Sequence, residues 1–221
     1  MIVVRPKPLA ALLDAVGDCR AVLVAGCRGC AAVCGAGGEK EVGILAVLLR
    51  LAAKRRGLVR TAFRVTVHRQ CDPGFLAPLD AFMELAEICL SLGCGVGVQY
   101  IADRYPAKPV IPAVDTVFAG GSPQAGLWEE RCRMCGDCVL GQTGGICPVT
   151  RCAKSLLNGP CGGATDGRCE VDPKTSCAWH LIYERLRDQN RLEDLAAIRP
   201  PKDWSSAGAG VRSVMREDLM P

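Results

Sequence analysis

The chain has 221 residues, enough for one sizeable domain or two small ones, and its hydrophobic share of 49% provides ample material for a core. Aromatic residues make up only 5%, so this core must consist mainly of Val, Leu, Ile and Ala. The net charge of +4 is mild, and the sequence has no basic patch interleaved with aromatic residues, which argues against nucleic acid as a partner.

The N-terminal sequence MIVVRPKPLAALLDAVGDCR lacks a basic start followed by a long apolar run, so we expect no export signal. No apolar run reaches the roughly 18–20 residues needed to cross a bilayer, so no membrane span is predicted. We therefore expect a cytoplasmic protein in which the 15 cysteines are reduced. Disulfides are disfavoured on this ground, and metal binding is the main remaining use for so many thiols.

Residues 1–125 predict an α/β domain with a small parallel sheet flanked by helices. Short apolar or alternating runs predict strands at residues 21–26, 61–67, 88–92 and 110–114. Apolar residues at helical spacing predict helices at 39–56 and 78–86. Alternation of strands and helices at this spacing is typical of parallel sheets.

Cysteines follow three of these predicted strands, and the carboxyl ends of parallel strands share one edge of a sheet. Short C-x2-C spacings serve both zinc and iron–sulfur sites, but histidine is absent nearby and a distant strand end offers another thiol. We therefore expect a [4Fe–4S] cluster here. Its expected ligands are Cys27, Cys30, Cys34 and Cys94, with Cys71 as the alternative to Cys94. The competing interpretation is that Cys71 and Cys94 are small buried apolar residues.

A second group of eight cysteines lies in a segment rich in glycine and proline. This segment has too few large apolar residues to form a core, so we expect metal to stabilise it. Its members are Cys132, Cys135, Cys138, Cys147, Cys152, Cys161, Cys169 and Cys177. The C-x2-C-x2-C run is typical of ferredoxin clusters, and Cys147-Pro148 is similar to their fourth, proline-followed ligand. Eight thiols divide into two four-thiolate centres. Both can be [4Fe–4S] clusters, or one can be zinc, and the spacing leaves the pairing open.

The expected domains are an α/β domain at 1–125, a cysteine-rich metal-binding module at 126–190 and a C-terminal tail at 191–221 that docks on a partner. An apolar helix face formed by Trp179, Ile182, Tyr183 and Leu186 closes the module. We find no Ser–His–Asp pattern and no paired carboxylates, so no catalytic residue is predicted.

Several motifs of the chain occur together in a known family. They are CRMCGDC at 132–138, TGGICP at 143–148, CAK at 152–154, NGPCGG at 158–163, CE at 169–170 and CxWxxIY at 177–183. With these motifs the chain resembles the MetV-type small subunit of methylenetetrahydrofolate reductase, found in bacteria that use the Wood–Ljungdahl pathway of one-carbon metabolism. The segments GCRGCAAVCGAGGEKEV and LGCGVGVQ are similar to the first half of that family, so the resemblance spans about residues 20–190.

The resemblance implies an iron–sulfur subunit that passes electrons to a MetF-type flavoprotein, which binds FMN and the folate and forms a heterodimer with it. FMN is therefore expected only in the partner, and the chain would be a non-catalytic subunit of an oxidoreductase. Some family members have further partners that resemble heterodisulfide reductase or a hydrogenase-linked subunit. The alternative function is a zinc-stapled adaptor that docks the flavoprotein and has no redox role.

Overall fold

The computed structural model describes residues 1–208, 212–216 and 218. The chain forms two compact units, Met1–Gly121 and Ser122–Pro221. The second unit thus begins close to the expected boundary at residue 125, and it contains the segments expected as module and tail. In the described part of the chain, no helix is both long and apolar enough to cross a membrane.

The first unit contains a parallel sheet of four strands with the order β3-β2-β4-β5. These strands are β2 (Ala21–Cys27), β3 (Thr61–Val67), β4 (Ile88–Ser91) and β5 (Val110–Pro112). All three neighbouring pairs are parallel. The predicted parallel sheet is therefore confirmed, with each strand within a few residues of its expected place.

Helices connect and flank these strands. They are α1 (Leu9–Val16), α2 (Cys30–Val33), α3 (Glu39–Arg55), α4 (Asp80–Leu85) and α5 (Gly95–Arg104). The predicted helix at 39–56 is confirmed as α3, which buries Val42, Leu45 and Leu49 on one face. It ends where Gly57 takes a φ of +73° and the Leu58 amide donates to the carbonyl of Ala53 at 2.9 Å.

Two antiparallel elements were not predicted. β1 (Ile2–Pro6) pairs with the first part of β6 (Val114–Gln124), with Pro6 opposite Val114 and Ile2 opposite Ala119. Residues 119–126 have the local composition of a Gly-rich linker. The first of them nevertheless lie in a strand, because their backbone pairs with β1. Pairing partners far apart in sequence therefore override the local preference.

The core of the first unit lies between the parallel sheet and its helices. Leu23 and Cys89 on the sheet pack with Leu79, Met83 and Ile101 from the helical side, and all five are buried. β2 and β4 are buried along nearly their whole length, which explains why both read as continuous apolar runs.

The second unit has little regular structure. β6 ends in a turn at Gly126, with φ of +81°, and β7 (Leu127–Cys132) follows. Its helices are α6 (Pro148–Arg151), α7 (Ala178–Asp188) and α8 (Ser205–Gly208). The core is small: Trp179, Ile182 and Leu186 of α7 are buried together with Cys177. The predicted apolar face of α7 is thus confirmed, except that Tyr183 is exposed.

Candidate metal centres

The first group of thiols lies at the carboxyl edge of the parallel sheet. Cys27 is the last residue of β2 and is level with Val67, the last residue of β3. Cys71 follows β3 by four residues, and Cys94 lies between the end of β4 and the start of α5. Register therefore brings three strand ends with their cysteines to one edge, where ligand sites form in parallel sheets.

A buried glutamine fixes the backbone next to Cys71. The Gln70 side chain donates from Nε2 to the carbonyl of Ala25 on β2 at 3.0 Å and accepts from Ser91 Oγ of β4 at 2.6 Å. Ser91 Oγ in turn accepts from the Gly93 amide at 3.2 Å. Because Gln70 is fully buried, these bonds have no competition from water, and they tie the loop that carries Cys71 to the strand end that carries Cys94.

Glycine is required where this loop approaches α5. A Cβ atom at Gly93 would lie 1.9 Å from Gln70 Oε1, and one at Gly97 would lie 2.6 Å from Gln70 Cβ. Neither distance is tolerable, so only glycine permits the close approach. Gly93 and Gly97 of the LGCGVGVQ segment therefore make room for Gln70, a role that sequence reasoning did not assign to them.

The electrostatics of Cys71 show which thiols lie near it. Although Cys71 is exposed by surface area, the protein packed around its thiol raises its pKa, and the negative charges of Cys94, Cys27 and Cys30 raise it further. Like charges act in this way only at short range. Cys94, Cys27 and Cys30 therefore each lie close enough to Cys71 to act on it electrostatically, and we refer to Cys27, Cys30, Cys71 and Cys94 as the sheet-edge thiols.

Cys34 has a different environment. It is only 9% exposed, and its Sγ donates to the carbonyl of Ile2 on β1 at 3.8 Å. The short helix α2 separates it from Cys30. The structure therefore places Cys27, Cys30 and Cys94 near the alternative residue, Cys71, and places Cys34 against β1.

In the second unit, the C-x2-C-x2-C segment forms a tight loop. The Met134 amide donates to Cys132 Sγ at 3.3 Å, and Cys135 Sγ donates to the carbonyl of Asp137 at 3.8 Å. Met134 and Gly136 have φ values of +52° and +81°, and these left-handed residues turn the backbone around the sulfur atoms. The Met134 amide, which donates to Cys132 Sγ, stabilises the thiolate form of that residue.

Four of the five remaining thiols of the second unit line one cavity, and Cys147 is the exception. The cavity walls include Cys152, Cys161, Cys169 and Cys177 together with Trp179. Trp179 is held by a hydrogen bond from Nε1 to the carbonyl of Leu156 at 3.0 Å. The cavity volume is about 20 Å³, close to the space of a single water molecule.

An ion pair lies at the wall of this cavity. Cys161 Sγ donates to Glu170 at 3.2 Å, and Glu170 also pairs with the ammonium group of Lys154. The hydrogen bond from Lys154, followed by that from Cys161, holds the pKa of Glu170 below its usual value. Gly163 permits this arrangement, because a Cβ atom there would lie 1.8 Å from a carboxylate oxygen of Glu170.

The two thiol groups have the donor chemistry of metal sites. Among the described residues, 1–208, 212–216 and 218, no group of three or more His, Cys, Asp or Glu side chains is arranged so that it could hold a metal ion. Sulfur donors alone, in sets of four, are the chemistry of iron–sulfur clusters and of structural zinc.

Comparison with known proteins gives one match. Residues 111–205 match a protein-family model described as methylene-tetrahydrofolate reductase C terminal. The matched range contains all eight cysteines of the second group, and this region is therefore the part of the chain that is similar to that family. No curated protein and no solved structure matches the chain.

Proposed function

We propose that this chain is the iron–sulfur electron-transfer subunit of a methylenetetrahydrofolate reductase complex, passing electrons to the FMN of a MetF-type catalytic subunit in the cytoplasm. The related region at 111–205 supports the enzyme system, and the convergence of the sheet-edge thiols supports the electron-transfer role. Heterodisulfide-reductase-like or hydrogenase-linked subunits are the proposed electron donors.

The sheet-edge thiols carry the proposal, because the first unit has an apolar core of its own. This core buries Leu23, Leu79, Met83 and Ile101, and each such side chain contributes about 1.5–3 kcal/mol. Four thiols at the carboxyl edge of a sheet with its own core support a redox centre rather than a purely structural metal site. We propose Cys27, Cys30, Cys71 and Cys94 as the ligands of its [4Fe–4S] cluster.

The second unit has only a small apolar core, so we expect bound metal to stabilise it. Its two sets of thiols differ in their surroundings. The cavity of about 20 Å³ suits a single zinc ion, so we propose zinc at Cys152, Cys161, Cys169 and Cys177. By elimination, Cys147 joins Cys132, Cys135 and Cys138 around a second [4Fe–4S] cluster. The amide of Met134, which donates to Cys132 Sγ, favours the thiolate form that either metal requires.

When bound, the clusters supply one-electron transfer between the donor and the flavin of the partner. The thiolates of the chain would hold the irons, Gln70 would hold the loop of Cys71 against the strand end that carries Cys94, and the Met134 amide would donate to one ligand sulfur. The reaction on the folate belongs to the partner subunit, which agrees with the absence of a predicted catalytic residue.

Metal analysis of anaerobically purified protein tests this proposal. We expect about eight iron atoms, about eight acid-labile sulfides and about one zinc per chain. Zinc alone, with a colourless protein, would refute the electron-transfer role and favour the adaptor that docks the flavoprotein without redox chemistry.

A further inference from the structure

Lys202 is a buried cation in the second unit. Its side chain is 1% exposed, and its Nζ lies 3.4 Å from Asp137 Oδ2. Within the described residues this ammonium group makes no hydrogen bond. Asp137 is 53% exposed and therefore neutralises the buried charge only in part, because water screens its carboxylate.

A buried ammonium group without hydrogen bonds is costly, since three N–H donors and a full charge leave water. A further anion nearby offsets part of this cost. An anion close to Asp137 would therefore stabilise the ammonium group of Lys202.

The position of Asp137 indicates which anion would lie close to Lys202. Asp137 lies between Cys135 and Cys138, and its carbonyl accepts a hydrogen bond from Cys135 Sγ at 3.8 Å. Lys202 thus contacts the loop that supplies three thiolates to the proposed second cluster. A cluster held by four thiolates carries net negative charge, and that charge helps to set its reduction potential.

The chain around Lys202 is held by contacts that do not involve its ammonium group. Asn158 and Arg199 exchange two backbone–side-chain hydrogen bonds, at 2.9 and 2.8 Å. The Arg199 guanidinium group also lies 5.8 Å from the centre of a Trp179 ring and donates to the carbonyl of Gln142 at 3.0 Å. Pro200 and Pro201 then restrict the backbone. A substitution at Lys202 can therefore remove the charge while the segment stays in place.

We propose that Lys202 is a positioning residue that raises the reduction potential of the centre held by Cys132, Cys135, Cys138 and Cys147. Reduction adds one electron from the donor, and the same electron leaves to the flavin of the partner. No proton needs to move, because the fixed ammonium charge offsets the added negative charge. This inference rests on the proposed function and goes beyond it, since it assigns a role to the segment that was expected only to dock a partner.

The test is a redox titration of the anaerobically purified full chain, followed by electron paramagnetic resonance, with the iron content measured in parallel. Lys202→Met should make reduction of one cluster about tenfold less favourable, which is 59 mV for one electron. The signal of the sheet-edge cluster is the internal reference and should not shift. Lys174→Met is the matched control, because it removes a lysine charge from an exposed position of the same unit.

Asp137→Asn is a second variant, for which we expect a shift of the reduction potential in the opposite direction. It removes the competing carboxylate and leaves the ammonium group, so the potential should rise. This variant decides the question if Lys202→Met fails to retain its cluster. A full iron content with unchanged potentials in both variants would overturn the inference alone, whereas wild-type protein without iron would overturn the proposed function and the inference with it.

Discussion

Ser91 Oγ donates a 2.6 Å hydrogen bond to the buried side chain of Gln70, and this contact joins two strand ends that are 21 residues apart in sequence. Gln70 precedes Cys71 directly, and Ser91 lies three residues before Cys94. The separation of two proposed ligands thus depends on a hydrogen bond between neutral side chains that bind no metal themselves.

Gly97→Ala tests this packing. The new methyl group would lie 2.6 Å from Gln70 Cβ. Gln70 cannot move away without losing its hydrogen bonds to Ala25 and Ser91. We expect the free energy of unfolding to fall by about 1–3 kcal/mol, together with iron loss from the sheet-edge centre. Urea unfolding and iron analysis measure the two effects.

Gly43→Ala is the matched control for that variant. Gly43 lies inside α3, and a Cβ atom there has only an ordinary contact, at 3.9 Å from an Arg64 nitrogen. Alanine should raise the free energy of unfolding by about 0.5–1 kcal/mol and leave the iron content unchanged. Equal destabilisation by both substitutions would show that the packing around Gln70 has no special role.

Cys71→Ser and Cys34→Ser distinguish the two possible fourth ligands of the sheet-edge centre. Because Cys94, Cys27 and Cys30 act electrostatically on Cys71, we expect Cys71→Ser to lose one cluster, about four iron atoms per chain. Cys34→Ser should keep the wild-type iron content, since Cys34 faces the carbonyl of Ile2. The reverse pattern would establish the set Cys27, Cys30, Cys34 and Cys94.

Cys169→Ser and Cys147→Ser separate the two centres of the second unit. Cys169 lines the small cavity, so its serine variant should lose zinc and retain iron. Cys147→Ser should lose about four iron atoms and retain zinc. Metal analysis of both proteins checks this division, and loss of iron from the Cys169 variant would show a cluster in the cavity instead.

Cys89 provides a pH prediction that is independent of metal. Burial raises its pKa from 9.0 to about 12. The folded state therefore binds this proton more tightly than the unfolded state, and the resulting stability is complete below about pH 9 and is lost as the pH rises towards 12.

The decline caused by this one thiol cannot exceed about 1.4 kcal/mol per pH unit. We expect urea unfolding between about pH 8 and pH 10.5 to show a steeper decline for the wild type than for Cys89→Ala. Parallel curves for the two proteins would mean that the thiol is not buried as described.

Sequence periodicity by itself determined the parallel sheet, the buried face of α3 and the apolar face of α7. These features are local, because burial of one face imposes a repeat that can be read within a single element. The two groups of cysteines, and their separation between the α/β part and the Gly- and Pro-rich part, were also evident from the sequence.

Only the tertiary structure decided which thiols lie near one another. Strand register across β2, β3 and β4 brings Cys71 towards Cys27 and Cys94, while pairing of β1 with β6 puts the carbonyl of Ile2 against Cys34. Packing around Trp179 likewise places Cys152, Cys161, Cys169 and Cys177 along one small cavity. Spacing along the chain carries no information on such contacts, because they are fixed by backbone pairing and side-chain packing between distant segments.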